Sequence, residues 1–369
     1  MIRIALKLAC VLSAGLFAGQ VAAYSTKTCL GERLKWGSNS KQLRASTTSF
    51  PAGTWRNTLQ GTIDRFNLNP SRFTYSLGTT SSVRRGNGTS EVWGSTDTGL
   101  LAGAPARAFQ YWTCYWFFGN HVSLDEVDVV FDYRSPWQWA SSEAKGNVTG
   151  YGGGTDGRPM RSTGLHEIGH GLILNHENRW YNIMGTDFTH LHANGGMARA
   201  YFGADGSAAA VFLYGARSPA RRDLGVVHWR YDGTSGEYSR HRKTRLFNTS
   251  GAVLASFDDA GETRFRVNRG QQVRAEFTYE NMGSQAQNNV PVGFYISSND
   301  LVTTADRRIG GGSLSISAGG HFTAEVTLTI PANLDANRNY WLGVIVDEND
   351  AIAEVVEWNN ATYLPIRTN

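Results

Sequence analysis

The C-terminal part of this 369-residue chain is a succession of short runs in which apolar and polar residues alternate. Six such runs follow Asp223, and turn-forming residues separate them: LGVVHWRYD, TRFRVN, QQVRAEFTYEN, VPVGFYIS, HFTAEVTLTI and YWLGVIVDE. Alternation with a period of two predicts strands that bury one face, and many short strands in succession predict an antiparallel β-sandwich. The pattern therefore restricts this part of the chain to an all-β fold.

The preceding part mixes helix and strand signals. The segment TWRNTLQGTIDRFN (54–67) has apolar residues at helical spacing, RFTYSL (72–77) alternates, and EVDVVFDY (126–133) is typical of a central strand. GSAAAVFLYG (206–215) predicts a helix that ends in glycine. We therefore expect an α+β domain, with a mixed twisted sheet, over residues 24–218. The Arg-rich segment 216–222 marks the boundary to the all-β domain, residues 219–369.

The N-terminus has the pattern of a signal peptide. Arg3 and Lys7 precede an apolar run that ends in the small residues VAA (21–23), so we expect cleavage near Ala23 and export to the periplasm or the extracellular space. The run is too short to span a membrane, and no later segment approaches that length. Loss of Arg3 and Lys7 lowers the formal net charge from +4 to +2. This charge predicts neither a nucleic-acid partner nor a membrane partner.

Two cysteines remain in the exported chain, because Cys10 lies in the signal peptide. An even pair in an oxidising compartment predicts a disulfide between Cys29 and Cys114. The alternatives are two separate thiols, or a Cys29 thiolate that inhibits a zinc site.

The segment HEIGHGLILNH (166–176) carries the chemistry. His166 and His170 are four residues apart, so on a helix they lie on one face and can bind a single zinc ion. Glu167 can then act as the general base for a water that attacks a carbonyl. His176 would complete three protein ligands plus water, which is the composition of a catalytic rather than a structural zinc site.

The same residues resemble the zinc motif of the metzincin metallopeptidases, and most closely that of the matrixins. The matching positions are His166, Glu167, Gly169, His170, Leu172, Leu174 and His176, and Met184 follows eight residues after His176 as the family's methionine does. The resemblance implies a metzincin-like α+β domain with a methionine turn at Met184 beneath the zinc. It extends more loosely over residues 36–215, and it implies that NVTGYGGG (147–154) is the edge strand that pairs with substrate.

One residue departs from that motif. Ile173 stands where the family has a glycine that ends the helix in a backbone turn, and β-branched residues resist that turn. Asn175 tolerates left-handed geometry and could turn the chain instead. Asp187 is an alternative third ligand, although the agreement between the His176 and Met184 spacings favours His176.

Other polar groups are weaker candidates. His190 and His192 could bind a metal, but histidines two apart in a loop are usually exposed. Tyr181 could donate to an oxyanion, but aromatic packing is the more common role. The acidic segments 299–306 and 347–354 could hold calcium, but neither has the EF-hand spacing, so solvated turns are expected.

Residues 264–369 resemble a bacterial cell-adhesion-related domain (CARDB) of immunoglobulin-like fold. The segments that carry this resemblance are YENMGSQ, FYISSNDLVTTADRRIG and YWLGVIVDENDAIAEVVEWNNATY. It implies an immunoglobulin-like sandwich whose ligand would be a surface or matrix component. A spacer or stabilising role is the alternative. The segment DLGVVHWRYD (223–232) is expected to supply the first strand.

These features together predict a secreted zinc endopeptidase that hydrolyses a protein or peptide substrate. Its catalytic residue would be Glu167, its zinc ligands His166, His170 and His176. One alternative is an adhesin or binding protein whose zinc site is vestigial or structural. Another is a zinc hydrolase that acts on non-peptide carbonyls.

Overall fold

A computed structural model describes residues 24–134, 139–151 and 157–369. The predicted signal peptide, residues 1–23, lies outside the described residues. In the described part of the chain, every helix is too short or too polar to cross a bilayer.

The first part of the chain is built on a five-stranded mixed sheet. Eleven strands are described in this part of the chain: Thr28–Cys29 (β1), Glu32–Arg33 (β2), Ser40–Ser46 (β3), Thr74–Thr80 (β4), Glu91–Ser95 (β5), Ala106–Trp116 (β6), Asn120–Asp132 (β7), Trp139–Ala140 (β8), Arg158–Pro159 (β9), Leu191–Asn194 (β10) and Met197–Ala200 (β11). The five-stranded sheet has the order β4-β3-β5-β7-β6. All neighbours in it are parallel except β6, which pairs antiparallel with β7 at the edge.

Four helices accompany this sheet: Thr54–Phe66 (α1), Thr98–Leu101 (α2), Met160–His170 (α3) and Gly203–Tyr214 (α4). Short 3-10 helices cover Lys145–Asn147, Asp187–Thr189 and Trp358–Asn360. The apolar face of α1 buries Leu59, Ile63 and Phe66, as its helical spacing predicts. The helix α3 is buried along nearly its whole length, because α1, the sheet and the following loop surround it. This burial explains why α3 lacks the exposed polar stripe of a surface helix.

The second part of the chain is all-β, as predicted. Its strands are Leu224–Val227 (β12), Trp229–Ser235 (β13), Tyr238–Lys243 (β14), Leu246–Phe247 (β15), Ser256–Asp259 (β16), Glu262–Val267 (β17), Gln272–Asn281 (β18), Gln287–Ser297 (β19), Arg307–Ile316 (β20), His321–Thr329 (β21), Asn339–Val346 (β22) and Ala361–Thr368 (β23). A four-stranded sheet of β12, β15, β18 and β21 faces a six-stranded sheet in the order β16-β17-β23-β22-β19-β20. Their inward side chains form one core, separate from the core of the first part.

The predicted first strand of the sandwich divides in two. Only Leu224–Val227 joins the sandwich, where β12 pairs with β18. After His228, β13 and β14 form a separate two-stranded hairpin, and Trp229 and Tyr231 pack into the core of the first part. The hairpin therefore belongs by packing to the residues that precede it in the chain.

A disulfide joins Cys29 and Cys114, as predicted from the compartment. It links the N-terminal segment to the edge strand β6. With Cys29 oxidised, the alternative of an inhibitory Cys29 thiolate no longer applies.

Candidate active site

The helix α3 ends in a turn made by Ile173 itself. Its φ of 64° lies in the left-handed region, and Asn175 is not among the residues with positive φ. The Leu174 N–H donates to the Gly169 carbonyl (3.3 Å) and the Ile173 N–H to the His170 carbonyl (2.8 Å), which is the Schellman pattern of a helix end. The expectation that Asn175 turns the chain is therefore wrong. The chain folds back at Ile173, and His176 returns toward the helix.

The turn brings three imidazoles together. The Nε2 atom of His170 lies 3.1 Å from that of His166 and 3.0 Å from that of His176. Within the described residues, these three histidines form the one group whose ligand atoms are close enough to hold a metal ion. Tetrahedral zinc with bonds of about 2.0–2.1 Å places two ligand nitrogens about 3.3 Å apart, which is close to this spacing.

In His166 and His170, the hydrogen bond made by Nδ1 fixes the tautomer of the ring. Nδ1 of His166 is 2.6 Å from the Ile183 carbonyl, and Nδ1 of His170 is 2.6 Å from the Leu174 carbonyl. Since carbonyl oxygens only accept, both rings carry their proton on Nδ1. Their Nε2 atoms then present lone pairs to each other, with no proton between them. A cation among the three Nε2 atoms relieves this repulsion, so the residues fit a zinc ion.

Burial keeps two of these imidazoles neutral. It lowers the pKa of His166 to about 4 and holds the pKa of His170 well below its usual value. Neutral imidazole is the form that binds zinc, so the buried environment favours metal binding near neutral pH.

Glu167 lies beside the histidines in the cleft and is 4% exposed. Its Oε2 atom has no hydrogen-bond partner among the described residues, which is costly for a buried carboxylate. Burial, followed by the nearby Asp187 carboxylate, raises the pKa of Glu167 to about 8. A buried carboxyl group with one oxygen free of hydrogen bonds is suited to exchange a proton with a water molecule through that oxygen.

Met184 lies under the helix that carries the histidines. It is buried, and a Cβ atom added to Gly169 would be 2.4 Å from its sulfur. The methionine therefore packs directly against the backbone of α3, between His166 and His170. The loop of Met184 also supplies the Ile183 carbonyl that orients His166.

Asp187 is engaged elsewhere. Its carboxylate accepts hydrogen bonds from Arg158 and Thr163, and it is not part of the three-histidine group. To bind the same metal ion, Asp187 would have to give up its hydrogen bonds to Arg158 and Thr163.

The cleft has a cavity of about 1070 Å³ that opens over the histidines. The antiparallel edge strand β6 forms one wall, through Ala108 and Gln110. The resemblance implied that residues 147–154 would form this edge strand, and that expectation is wrong: Val148 makes only an isolated bridge with Gly157, and residues 152–156 lie outside the described residues. The sequence did not predict β6 as a strand because apolar and polar residues do not alternate regularly in ARAFQYWTCYW.

The two further histidines are buried, contrary to the expectation of exposed loop residues. Nε2 of His190 is 3.3 Å from Glu280 Oε1, and Nε2 of His192 is 3.2 Å from Glu280 Oε2. The carboxylate thus lies between the two rings. Tyr181 stacks on His190 and donates its hydroxyl proton to the Thr189 carbonyl, so it packs as an aromatic residue rather than facing the cleft.

The acidic segments form turns. The Asp306 carboxylate accepts the N–H of Thr303, and the Asp347 carboxylate accepts those of Ala351 and Ile352. Calcium binding by these segments stays an untested possibility from the sequence.

The opposite wall of the cleft was missed by sequence reasoning. Glu237, Tyr238 and Arg240 of the β13–β14 hairpin line it, and Glu237 Oε1 is 3.2 Å from Nδ1 of His176. These residues lie about sixty positions beyond HEIGHGLILNH, in the polar segment EYSRHRK (237–243). No local pattern distinguishes them.

Comparison with known proteins identifies part of the chain. A model of the CARDB family matches residues 262–363. The CARDB domain of a Pyrococcus furiosus protein, solved in complex with di-metal ions, is 14% identical, covers 40% of this chain and 90% of its own, and has a TM-score of 0.25. A family 123 glycoside hydrolase from Clostridium perfringens is 16% identical over 28% of this chain and 22% of its own, with a TM-score of 0.18.

A β-glucosidase from Listeria innocua is 12% identical over 36% of this chain and 17% of its own, with a TM-score of 0.20. No curated protein matches the chain. The match to the family model agrees with the resemblance found in the sequence, since residues 264–369 carried it. The chain therefore contains a CARDB domain at residues 262–363, within its C-terminal β-sandwich.

Proposed function

We propose that this protein is an exported zinc endopeptidase with a metzincin-like catalytic domain. The observation that carries the proposal is the convergence of three imidazoles, with the Nε2 atoms of His166 and His176 3.1 Å and 3.0 Å from that of His170, beside a buried glutamate with an unpaired oxygen. The parallel sheet with one antiparallel edge strand beside the cleft supports the metzincin-like fold.

His166, His170 and His176 would hold the zinc ion. Bound there, zinc would supply Lewis-acid polarisation of the scissile carbonyl and of the attacking water. A zinc ion beside Glu167 would favour the ionised form of its carboxyl group, and Glu167 would then remove a proton from that water on Oε2, since this oxygen has no other partner. It then delivers the proton to the leaving amine nitrogen, which completes hydrolysis and restores the carboxylate.

The substrate would be a peptide in extended conformation. The edge strand β6 has only one neighbour in the sheet, so its outer backbone groups can pair with an added strand. The cavity of about 1070 Å³ is large enough for side chains next to the scissile bond.

The proposed destination is outside the cytoplasm. The disulfide between Cys29 and Cys114 requires an oxidising compartment, and the N-terminal pattern of residues 1–23 predicts export. The CARDB domain would add a site for a surface or matrix ligand, which is the role that its resemblance implied.

Replacement of the proposed base tests the mechanism. Glu167→Gln keeps the volume of the side chain and removes its basicity, so we expect normal zinc content and a cleavage rate lower by about 10²- to 10⁴-fold. Zinc is measured by elemental analysis and cleavage with a quenched peptide library. Glu325→Gln, the same change on the sandwich strand β21, is the matched control and should cleave as the wild type does.

Unchanged cleavage by Glu167→Gln would contradict the proposed mechanism. If the wild-type protein binds zinc but cleaves no member of the library, the adhesin or binding class is favoured instead. If ester substrates are hydrolysed and peptides are not, the site belongs to a zinc hydrolase of another class.

A further inference from the structure

We propose that the β13–β14 hairpin is part of the zinc site, and that Glu237 is the positioning residue for the third ligand, His176. The proposal rests on the proposed zinc function. It adds to the site a segment that lies beyond the expected domain boundary at residues 218 and 219.

The hairpin is docked against the loop that follows the zinc motif. The Ser239 N–H donates to the Glu177 carbonyl (3.1 Å), and the Asn178 amide donates to the Gly236 carbonyl (2.8 Å). Thr186 also donates its hydroxyl proton to the Ser239 carbonyl. These bonds join the hairpin to the loop that follows His176, and two of them go to Glu177 and Asn178, directly after that residue, so the tip at Gly236 is held close to His176.

Each imidazole of the site has a partner for Nδ1, but the third partner differs from the other two. Backbone carbonyls accept from His166 and His170, and both carbonyls belong to the turns that follow α3. His176 instead has a carboxylate oxygen of Glu237 3.2 Å from Nδ1. A carboxylate at this position orients the ring and makes its Nε2 a stronger metal ligand.

Tyr238 adds a packing contact to the same ring. Its ring centroid lies 4.2 Å from that of His176. The imidazole of His176 is thus held by a carboxylate at its edge and by a phenol ring across its face.

The third ligand needs such support more than the other two. His166 and His170 project from a buried helix, whereas His176 follows the Ile173 turn and its side chain is 20% exposed. No helix backbone fixes its position. The hairpin supplies the missing constraint, so the zinc site is complete only when this C-terminal segment is docked.

Zinc affinity of the full chain tests the proposal. We compare Glu237→Gln and Glu237→Ala with the wild type, all in a Glu167→Gln background so that self-cleavage does not interfere. Zinc binding is measured by competition with a chromogenic chelator. Glu325→Gln in the same background is the charge-matched control.

Loss of a carboxylate that orients a metal-binding histidine weakens metal binding by about 10- to 100-fold. We expect Glu237→Ala to weaken zinc binding by about tenfold, the lower end of that range, because the Glu237 side chain is 68% exposed. Glu237→Gln should weaken it by less, since its amide oxygen can still accept from Nδ1. The control should stay within about twofold of the background protein. A merely structural role of the hairpin would not produce this order of affinities.

The outcomes separate this inference from the proposed function. If the background protein itself fails to bind zinc, the proposed function fails. If it binds zinc, His176→Ala loses that binding, and Glu237→Ala binds as tightly as the background protein, then the zinc site stands and the role of Glu237 is refuted. Melting temperatures of all variants verify that the affinity differences arise in folded protein.

Discussion

At the scale of single residues, strain and burial oppose each other at Ile173. A left-handed backbone costs an L-residue about 1–2 kcal/mol. The Ile173 side chain is fully buried, and burial of such a side chain contributes about 1.5–3 kcal/mol. The two free energies are of similar size, so burial offsets the strain and isoleucine is tolerated in a conformation that favours glycine. The turn also places the Leu174 carbonyl against His170, which makes Ile173 important to the site.

Two variants of Ile173 separate strain from burial. Both Ile173→Ala and Ile173→Gly lose the buried side chain, and both should lower the free energy of unfolding by about 2–5 kcal/mol. The glycine variant should nevertheless be more stable than the alanine variant by about 1 kcal/mol, because only glycine adopts a positive φ without strain. Urea denaturation measures both. An alanine variant as stable as the glycine variant would show that the turn is not strained.

The sequence could predict the cluster of histidines but not the turn that completes it. The four-residue spacing of His166 and His170 depends on helix geometry alone, whereas His176 was predicted from its resemblance to the family motif, and the structure brings the three together. Isoleucine disfavours a left-handed backbone, so the sequence argued against a turn at Ile173. This backbone preference carries no information about how deeply the side chain is buried. Burial arises from the rest of the core, which a local pattern does not contain.

At the scale of elements, the close approach of the hairpin to the Met184 loop depends on Gly185. A Cβ atom at this position would lie 1.6 Å from Ser239 Oγ and 3.0 Å from the Glu177 carbonyl oxygen. The Ser239 side chain of β14 packs against the backbone of the loop here because Gly185 has no side chain. The alternation of residues 223–232 could not predict this contact, since it indicates a buried face but not which core buries it.

A double-mutant cycle tests this contact. Gly185→Ala should lower the free energy of unfolding by about 1–3 kcal/mol, because the added methyl group overlaps Ser239. Ser239→Gly removes the overlapping atoms, so the cost of Gly185→Ala should be smaller in that background by at least about 1 kcal/mol. Denaturant unfolding of the four proteins gives the coupling. Additive effects would indicate that β14 does not contact Gly185.

At the scale of the whole molecule, the two parts of the chain are joined by buried polar contacts. Lys145 donates from Nζ to Asp300 (2.6 Å) and to Glu262 (3.2 Å) of the sandwich. Glu280 of the sandwich lies between His190 and His192 of the first part. Neither contact follows from a local sequence pattern, because each joins residues 88 or more positions apart. The boundary at residues 218 and 219 is therefore a boundary in sequence pattern rather than a gap in packing.

The buried histidines at this junction predict a pH dependence of stability. Burial, aided by Lys243, holds the pKa of His228 well below its usual value, and burial also lowers the pKa values of His241 and His321. In the unfolded chain each takes up a proton near pH 6.5. At these three sites the unfolded state thus binds more protons below that pH, and their contribution to stability is lost as the pH decreases.

We expect each histidine that stays neutral in the folded protein to lower the free energy of unfolding by up to about 1.4 kcal/mol per pH unit below pH 6.5. Buried carboxyl groups whose pKa values are raised to about 7–8 act in the opposite direction: Asp128, Glu167, Asp223 and Glu354. The contribution of one histidine is therefore the difference in slope between the wild type and a variant that lacks it. Urea denaturation at several pH values, with chelator present throughout, measures the slope. His228→Gln has no imidazole to protonate in the unfolded chain, so its slope should be smaller by about 1.4 kcal/mol per pH unit, the contribution of one proton. Equal slopes for the wild type and His228→Gln would contradict the burial of a neutral His228.

We propose that this chain hydrolyses peptide bonds with a zinc ion held by His166, His170 and His176. Incubation of the purified full-length protein with denatured casein tests it most directly, in the absence of chelator, in its presence, and after zinc is restored. We predict cleavage that the chelator abolishes and that added zinc recovers. An absence of cleavage by the zinc-loaded protein, or cleavage that the chelator leaves unchanged, would contradict the claim.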